Sequence, residues 1–521
     1  MINQWAFTAP SAEATQAGAE LLKDGANAIE AMVAAAAAIA VSYPHMNSIG
    51  GDGFWLILPR DAQPVGILAG GTSGQNVGPH IWTNGRTERG VGAMLTVPGA
   101  VAGWQSALDV DLVGTTSKRP LPELLTHAID LARSGITVSR SLAETLAAKQ
   151  DELISAPGFA DLFLANGTLA QGDTLKNTDF AGLLEQLAAA GLDDFYRGDI
   201  GQHIGKALKS FDAPIDRNDL ASYHAERVTP LSTQLSTGTV LNLPAPTQGL
   251  ASILILAIYD KLRSRCTSPG DHVHLLVEAT KHAFTIRDRH IGDPHTTSID
   301  YAACLSDENI DKLAKSVDWS QAAPWPDPGL HADTVWMGAL DRSGNMVSYI
   351  QSVYWEFGSG VVIPETGMLW NNRGLCFDQD LRGPNAIGPC KVPRHTLNPA
   401  AGILDDGRRM VYGTMGGEGQ PQTQSAMWWR YVVEGLDAVS AVNAPRWLLG
   451  RTWGDESTSL KLERGLSVEI GETMNERGHD PVLIDDRNDL MGHAGLISIG
   501  SDGHLEVASD HRSDGEALQG N

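Results

Sequence analysis

Cysteine is scarce in this chain of 521 residues. The four present, Cys266, Cys304, Cys376 and Cys390, are too few for a disulfide framework, and none stands in a CxxC or other metal-type spacing. Positive charge is also in short supply: 38 Lys and Arg face 62 Asp and Glu, for a net charge of −24. That argues against a nucleic-acid partner, whose affinity for proteins comes largely from cations that neutralise phosphates. Long apolar runs are missing too. The Ala-rich stretch AMVAAAAAIAVS, residues 31–42, follows Glu30 and falls short of the roughly 20 strongly apolar residues of a membrane span, so it reads as a buried helix. The opening MINQWAFTAPSAEATQAG shows no basic n-region and no apolar h-region; no signal peptide is visible, and the cytoplasm is the expected location. Several catalytic signatures are absent as well. GGDGFW (50–55) precedes a strand, whereas a dinucleotide fingerprint must follow one and open a helix. DRNDLMGHAG (486–495) lacks calcium-loop spacing, and no GxSxG elbow is found. His272 and His274 point to different faces of one helix, and with His282 and His290 they complete no recognisable metal site. Neither a metal nor a cofactor is expected.

What is present is an ordinary globular pattern, 42% hydrophobic and 19% charged, with no repeat, linker or charge block. The chain is long enough for more than one domain, yet it reads as one compact α/β unit. Residues 11–42 predict two helices, the first capped by Ser11 and ended at Gly25, the second opened by an Asn27–Glu30 capping box. Residues 50–58 read as a Gly turn into a buried strand. Helix dominates from about 120 to 235 and from 270 to 316. Strands return at 334–352, 367–372, 408–417 and 495–500.

The stretch HADTVWMGALDRSGNMVSYIQS, residues 331–352, reads as a buried hairpin with Gly344 in the left-handed turn position. If Asp341 pairs with Asn345, equal steps place Thr334 directly opposite Ser352, both on one face. Two hydroxyls at a strand end are often no more than caps. They also suit a chain that cuts itself: the Thr334 hydroxyl attacks the carbonyl of Asp333, and cleavage leaves Thr334 with a free α-amine beside its own Oγ. Such an amine titrates near neutrality, so one residue serves as nucleophile and base. The glycines of GTMGGEGQ, Gly416 and Gly417, offer backbone N–H donors for an oxyanion.

At these residues the sequence resembles the γ-glutamyltransferase family of N-terminal-nucleophile hydrolases. The likeness runs nearly end to end, through residues 17–54, TVPGAVAGW (96–104), DDFYRGDIGQHI (193–204), DLASYHAERVTPL (219–231), PAPTQG (244–249), VEATKHAFTIRDRHIGDP (277–294), FGSGVV, GMLWNN, HTLNPA and GTMGGEGQPQTQ. The resemblance implies an α+β fold, a four-layer αββα sandwich, cut into a helix-rich large chain (1–333) and a small chain (334–521). It implies Thr334 as nucleophile, Ser352 as its supporting hydroxyl, and Gly416 and Gly417 as oxyanion donors. Departures fall on the substrate pocket. The Arg that binds the substrate's α-carboxylate in true transferases maps to Gly71, with no Arg between Arg60 and Arg86. The family's Asn beyond the supporting hydroxyl is Tyr354, its Gln and Asp after the Asn pair are Arg373 and Cys376, and its Ser pair is His395–Thr396. The segment between Phe377 and Pro393, a lid in many members, is short.

Motifs such as PHMNSIGGDGFWLI and YIQSVYWEFGSG look most like a subgroup that hydrolyses the amide of a very small carboxylate-bearing substrate, oxamate among them. Arg373 and Arg394 suit a bidentate carboxylate clamp, with Tyr354, His395 and Thr396 beside it. Trp336, Trp355 and Trp370 either narrow the pocket or are plain core. The expected function is thus a self-processing hydrolase of small amides. Three alternatives stand beside it: a γ-glutamyltransferase or glutathione hydrolase with a moved clamp, an acylase for dicarboxylic side chains, and an uncleaved non-catalytic homologue. The expected partners are a small amide and the two chains of one precursor, with neither nucleic acid nor membrane.

Overall fold

The computed structural model of the chain describes residues 3–83, 85–112, 118–165, 167–325, 333–450 and 458–521. The N-terminal helices form as their caps predict. Asn27 accepts from the amides of Ile29 and Glu30, Glu30 returns a bond to Asn27, and the helix Ala28–Ser42 follows. Every residue of that helix is buried, as a helix apolar all round must be. Ser11 precedes Ala12–Lys23 but makes no side-chain cap bond; its hydroxyl faces Ser42 Oγ at 2.7 Å instead. Gly25 closes the first helix with φ +86°.

Two antiparallel sheets pack face to face. The first runs, in spatial order, Glu516–Gly520, Trp5–Ala9, Asp333–Leu340, Met346–Tyr354, Asp52–Leu58, Val65–Ala69 and Glu226–Val228. The second runs Leu505–Ser509, Ala494–Ile499, Arg409–Thr414, Ala400–Leu404, Gly238–Asn242 and Leu231–Leu235. Strand alternation sorts the side chains into layers. Phe54, Leu56, Leu58, Trp336, Leu340, Met346 and Ile350 meet Leu241, Leu397, Val411 and Ile497 between the sheets. Trp55, Ile57, Val335, Met337, Ala339, Val347 and Tyr349 point the other way, into a core roofed by the N-terminal helices. The outer face of the second sheet is covered by Gly249–Leu262 and Gln420–Trp428, with Pro269–His290 behind them. Helices, two sheets and helices again make the expected αββα sandwich.

Trp336 lies across the gap between the sheets and donates to Ser348 Oγ at 2.9 Å. Glycines make room for it: a Cβ on Gly413 or Gly495, both in the facing sheet, would come within 2.2 or 2.3 Å of its ring. Trp336 and Trp370 are therefore core residues, while Trp355 stacks against Tyr354 and Arg89. The stretch 367–372 forms only a two-residue strand, Met368–Leu369. Among the described residues no helix is long and apolar enough to cross a membrane.

Candidate active site

The strand carrying Thr334 begins at Asp333; residues 326–332 and the Asp333 side chain lie outside the described residues. Thr334 shares the inter-sheet face with Trp336 and is 1% exposed. The hairpin register is as the sequence suggests through most of its length, from the Asp341 N–H to Asn345 O bond to the Gln351–Val335 pair, and Gly344 takes φ +91°. One residue further it differs. The next pair is Tyr354 with Asp333, so Ser352 and Val353 together face Thr334 across a bulge. Tyr354 adopts φ +87° there, and its N–H turns onto Ser352 Oγ at 2.8 Å. The bulge re-aims the strand end toward the site. On its other side Ser352 pairs with Asp52, so Thr334, Ser352 and Asp52 form one row across three strands.

Arg373 closes the row and has no exposure to solvent. Its Nε donates to Asp52 Oδ2 at 3.0 Å and its Nη2 to Ser352 Oγ at 3.1 Å. Nη1 has only longer contacts, to Thr396 Oγ1 at 3.4 Å and Cys376 Sγ at 3.7 Å. The guanidinium lies 4.5 Å from the Tyr354 ring centroid, a cation–π arrangement that holds its plane. His395 Nε2 meets the same Asp52 oxygen at 3.0 Å, while its Nδ1 accepts from the Leu397 amide. Burial and the neighbouring Arg373 hold His395 down to about 4, so it is neutral at pH 7. Burial pushes Asp52 up, but bonds from His395, the charge of Arg373 and the Gly71 amide outweigh it and hold Asp52 below its ordinary value. Tyr354, Arg373, His395 and Thr396 thus meet in one cluster. Arg394 stands apart from it, paired with Asp288 at 3.1 Å and Asp378 at 3.8 Å.

Gly416 and Gly417 follow the strand Arg409–Thr414 with φ of +110° and +52°. Both take a positive φ, a backbone conformation that favours glycine. Among the described residues neither amide donates to a backbone carbonyl. Gln248 steadies this loop, donating to the carbonyls of Gly417 and Thr396 at 2.8 and 2.9 Å. Gln420, opening the next helix, donates to Thr334 Oγ1 at 3.3 Å. Asp52, Gln248 and Gln420 were missed by sequence reasoning. Asp52 lies between glycines and reads as a turn residue; the glutamines carry no charge pattern.

The position of the transferases' arginine is also explained. A Cβ on Gly71 would lie 1.5 Å from the Val97 carbonyl oxygen, and the Gly71 amide donates to Asp52 at 2.9 Å. No side chain fits there. Away from the site, His274, Glu278 and His479 bring possible ligand atoms within 4.8 Å of one another. Lys281 Nζ already sits 2.6 Å from the Glu278 carboxylate, and the two imidazoles bond each other at 2.7 Å. His272 turns elsewhere, onto Tyr259 and Trp429.

Two helix-faced sheets, with a hydroxyl residue at the head of a central strand and a glycine pair after a strand of the facing sheet, define an N-terminal-nucleophile hydrolase. The Gamma-glutamyltranspeptidase family model matches residues 14–520. The oxamate amidohydrolase proenzyme of Klebsiella pneumoniae subsp. pneumoniae is 46% identical over 512 residues, covering 98% of this chain and 97% of that protein. The glutathione hydrolase proenzyme of Escherichia coli (strain K12) is 30% identical, over 96% of this chain and 89% of its own. Among solved structures, a cephalosporin acylase from Bacillus halodurans superposes with a TM-score of 0.90 at 29% identity, covering 99% of this chain and 95% of its own. The chain belongs to the γ-glutamyltranspeptidase family.

Proposed function

We propose that the chain cuts itself before Thr334, into chains 1–333 and 334–521, and then hydrolyses the amide of a small carboxylate-bearing substrate such as oxamate. The observation that carries the substrate class is the Arg373 Nη2–Ser352 Oγ bond of 3.1 Å. Ser352 faces Thr334, so a carboxylate held by the two Nη groups lies next to the attacked carbon. Oxamate, whose carboxylate is bonded directly to its amide carbonyl, fits that spacing; a γ-glutamyl group, whose carboxylate lies several carbons away, does not. The relative of 46% identity carries the same substrate in its name.

In the precursor, Thr334 Oγ attacks the carbonyl carbon of residue 333, the acyl group passes from nitrogen to oxygen, and water hydrolyses the ester. In the mature enzyme the Thr334 α-amine takes the Oγ proton as Oγ attacks the amide carbon. The N–H groups of Gly416 and Gly417 hold the oxyanion, and Ser352 donates to the nucleophile's oxygen. The amine then protonates the leaving nitrogen, ammonia departs, and water attacks the acyl ester to release the dicarboxylate and restore Oγ–H. Any amine that reaches the acyl-enzyme competes with water.

The test is a panel of oxamate, glutathione, a γ-glutamyl anilide and glutaryl amides offered to purified protein, beside its Thr334→Ala variant. Hydrolysis of oxamate by the processed protein, with the variant uncut and inactive, is expected. Turnover of γ-glutamyl compounds alone would overturn the substrate class. Amide hydrolysis by Thr334→Ala would remove the nucleophile.

A further inference from the structure

Gln420 is wholly buried at the start of the helix Gln420–Trp428, and Pro421 behind it fixes the backbone that aims its side chain. Its carboxamide nitrogen donates to Thr334 Oγ1 at 3.3 Å. Its carboxamide oxygen is buried and has no hydrogen-bond partner among the described residues. Buried polar atoms are nearly always paired, and one left unpaired carries the penalty of its lost hydration. In the uncut chain the neighbouring Thr334 nitrogen is an amide with a single N–H. Cleavage would turn it into an amine and add donors on the residue that Gln420 already bonds.

We propose that Gln420 is the positioning residue for the base: Nε2 holds Thr334 Oγ1 while Oε1 accepts an N–H from the α-amine released by cleavage. The proposal rests on the reading of Thr334 as a new chain start. The two heteroatoms of a carboxamide lie side by side in one plane, as do the nitrogen and Oγ of a threonine in a gauche rotamer, so one side chain spans both. With one N–H pinned by Oε1, the lone pair of the amine turns toward the Oγ proton. The same acceptor favours the ammonium form of the amine.

Two substitutions read this out in opposite directions. Gln420→Leu removes the acceptor, so the acid limb of the kcat/KM profile against pH should move to lower pH while kcat falls about tenfold or more. Gln420→Glu sets a negative charge beside the amine, so the limb should move to higher pH. A residue that merely packs the helix would lower kcat and leave the limb in place. Sequencing of the small chain from its N-terminus comes first. An active wild-type enzyme whose small chain does not start at Thr334 overturns the proposed function, and this inference with it. With that start established, limbs unmoved in both variants overturn the role of Gln420 alone. Should either variant stay uncut, a crystal structure of the mature wild-type enzyme decides: Oε1 within about 3.2 Å of the Thr334 nitrogen upholds the proposal, and Oε1 turned to another donor overturns it.

Discussion

Arg373 carries its charge at a position with no exposure to solvent, and its stability depends on Asp52. A buried cation is tolerated when it is paired and its N–H groups are used. Asp52 takes Nε and cancels the charge; Tyr354 fixes the plane; the two Nη groups face Ser352, Thr396 and Cys376. Asp52→Asn should therefore destabilise the fold by about 3–5 kcal/mol, seen as a lower urea midpoint, because the charge on Arg373 is left unmatched. The double variant Asp52→Asn/Arg373→Gln should regain most of that loss and still fail on oxamate. A double variant as unstable as the single one would mean that the pair's energy is not electrostatic. This residue-level logic was only half legible in the sequence. Thr334 and Ser352 stand out as two hydroxyls at one strand end, and Arg373 because the resemblance sets it where the family carries a Gln after the Asn pair. Asp52 does not, since an acid flanked by glycines looks like any turn until the fold sets it opposite Ser352.

At the scale of elements, apolar runs and caps carry most of the information. The hairpin strands, the Asn27 capping box and the helix Ala28–Ser42 follow from local pattern. The bulge at Ser352–Val353 does not, because a register shift depends on tertiary twist and on a bond the Ser352 side chain makes to its own strand. GMLWNN misleads for a related reason: Asn371 and Asn372 bond the carbonyls of Gly50 and Glu88 through their side chains, and the backbone leaves the extended path. The slot for Trp336 was invisible as well, since its walls come from Gly338, Gly413 and Gly495, far apart in sequence. Gly413→Ala puts a methyl 2.2 Å from the indole and forces the sheets apart or the ring off its rotamer. The expected cost is about 1–3 kcal/mol of stability, read by chemical denaturation, with weaker turnover because the Thr334 strand moves with Trp336. Unchanged stability would show that the indole has room to give.

For the whole molecule, the order of the strands decides what a cut before Thr334 can do. Trp5–Ala9 lies between Glu516–Gly520 and Asp333–Leu340, so a strand of the proposed large chain is hydrogen-bonded on both edges to the proposed small chain. The second sheet is likewise shared. All four cysteines are free thiols. The two chains should therefore co-elute in native buffer and separate on a denaturing gel without reductant; dissociation on cleavage would contradict the interleaving. Acid should part them by another route. His395 is held down to about 4, by burial and then by Arg373; His45 to about 3, by burial and then by His493; and His479 to about 3, by burial and then by Lys281. Each is depressed below its unfolded value of 6.5, so from pH 6.5 down to about 4 the unfolded chain binds protons that the native one refuses. Stability is then full above pH 6.5 and drains as pH falls through that window, by about 1.4 kcal/mol per pH unit for each deeply buried imidazole. His479, less deeply buried, contributes less. Asp52, depressed as well, adds its loss only further down, below its unfolded value of 3.8. Urea midpoints measured at half-unit steps between pH 7 and 4 should fall steadily, and His395→Gln, neutral throughout and still able to donate to Asp52, should make the fall shallower by about one proton's worth. A flat profile across that range would mean that these imidazoles take up protons in the native state.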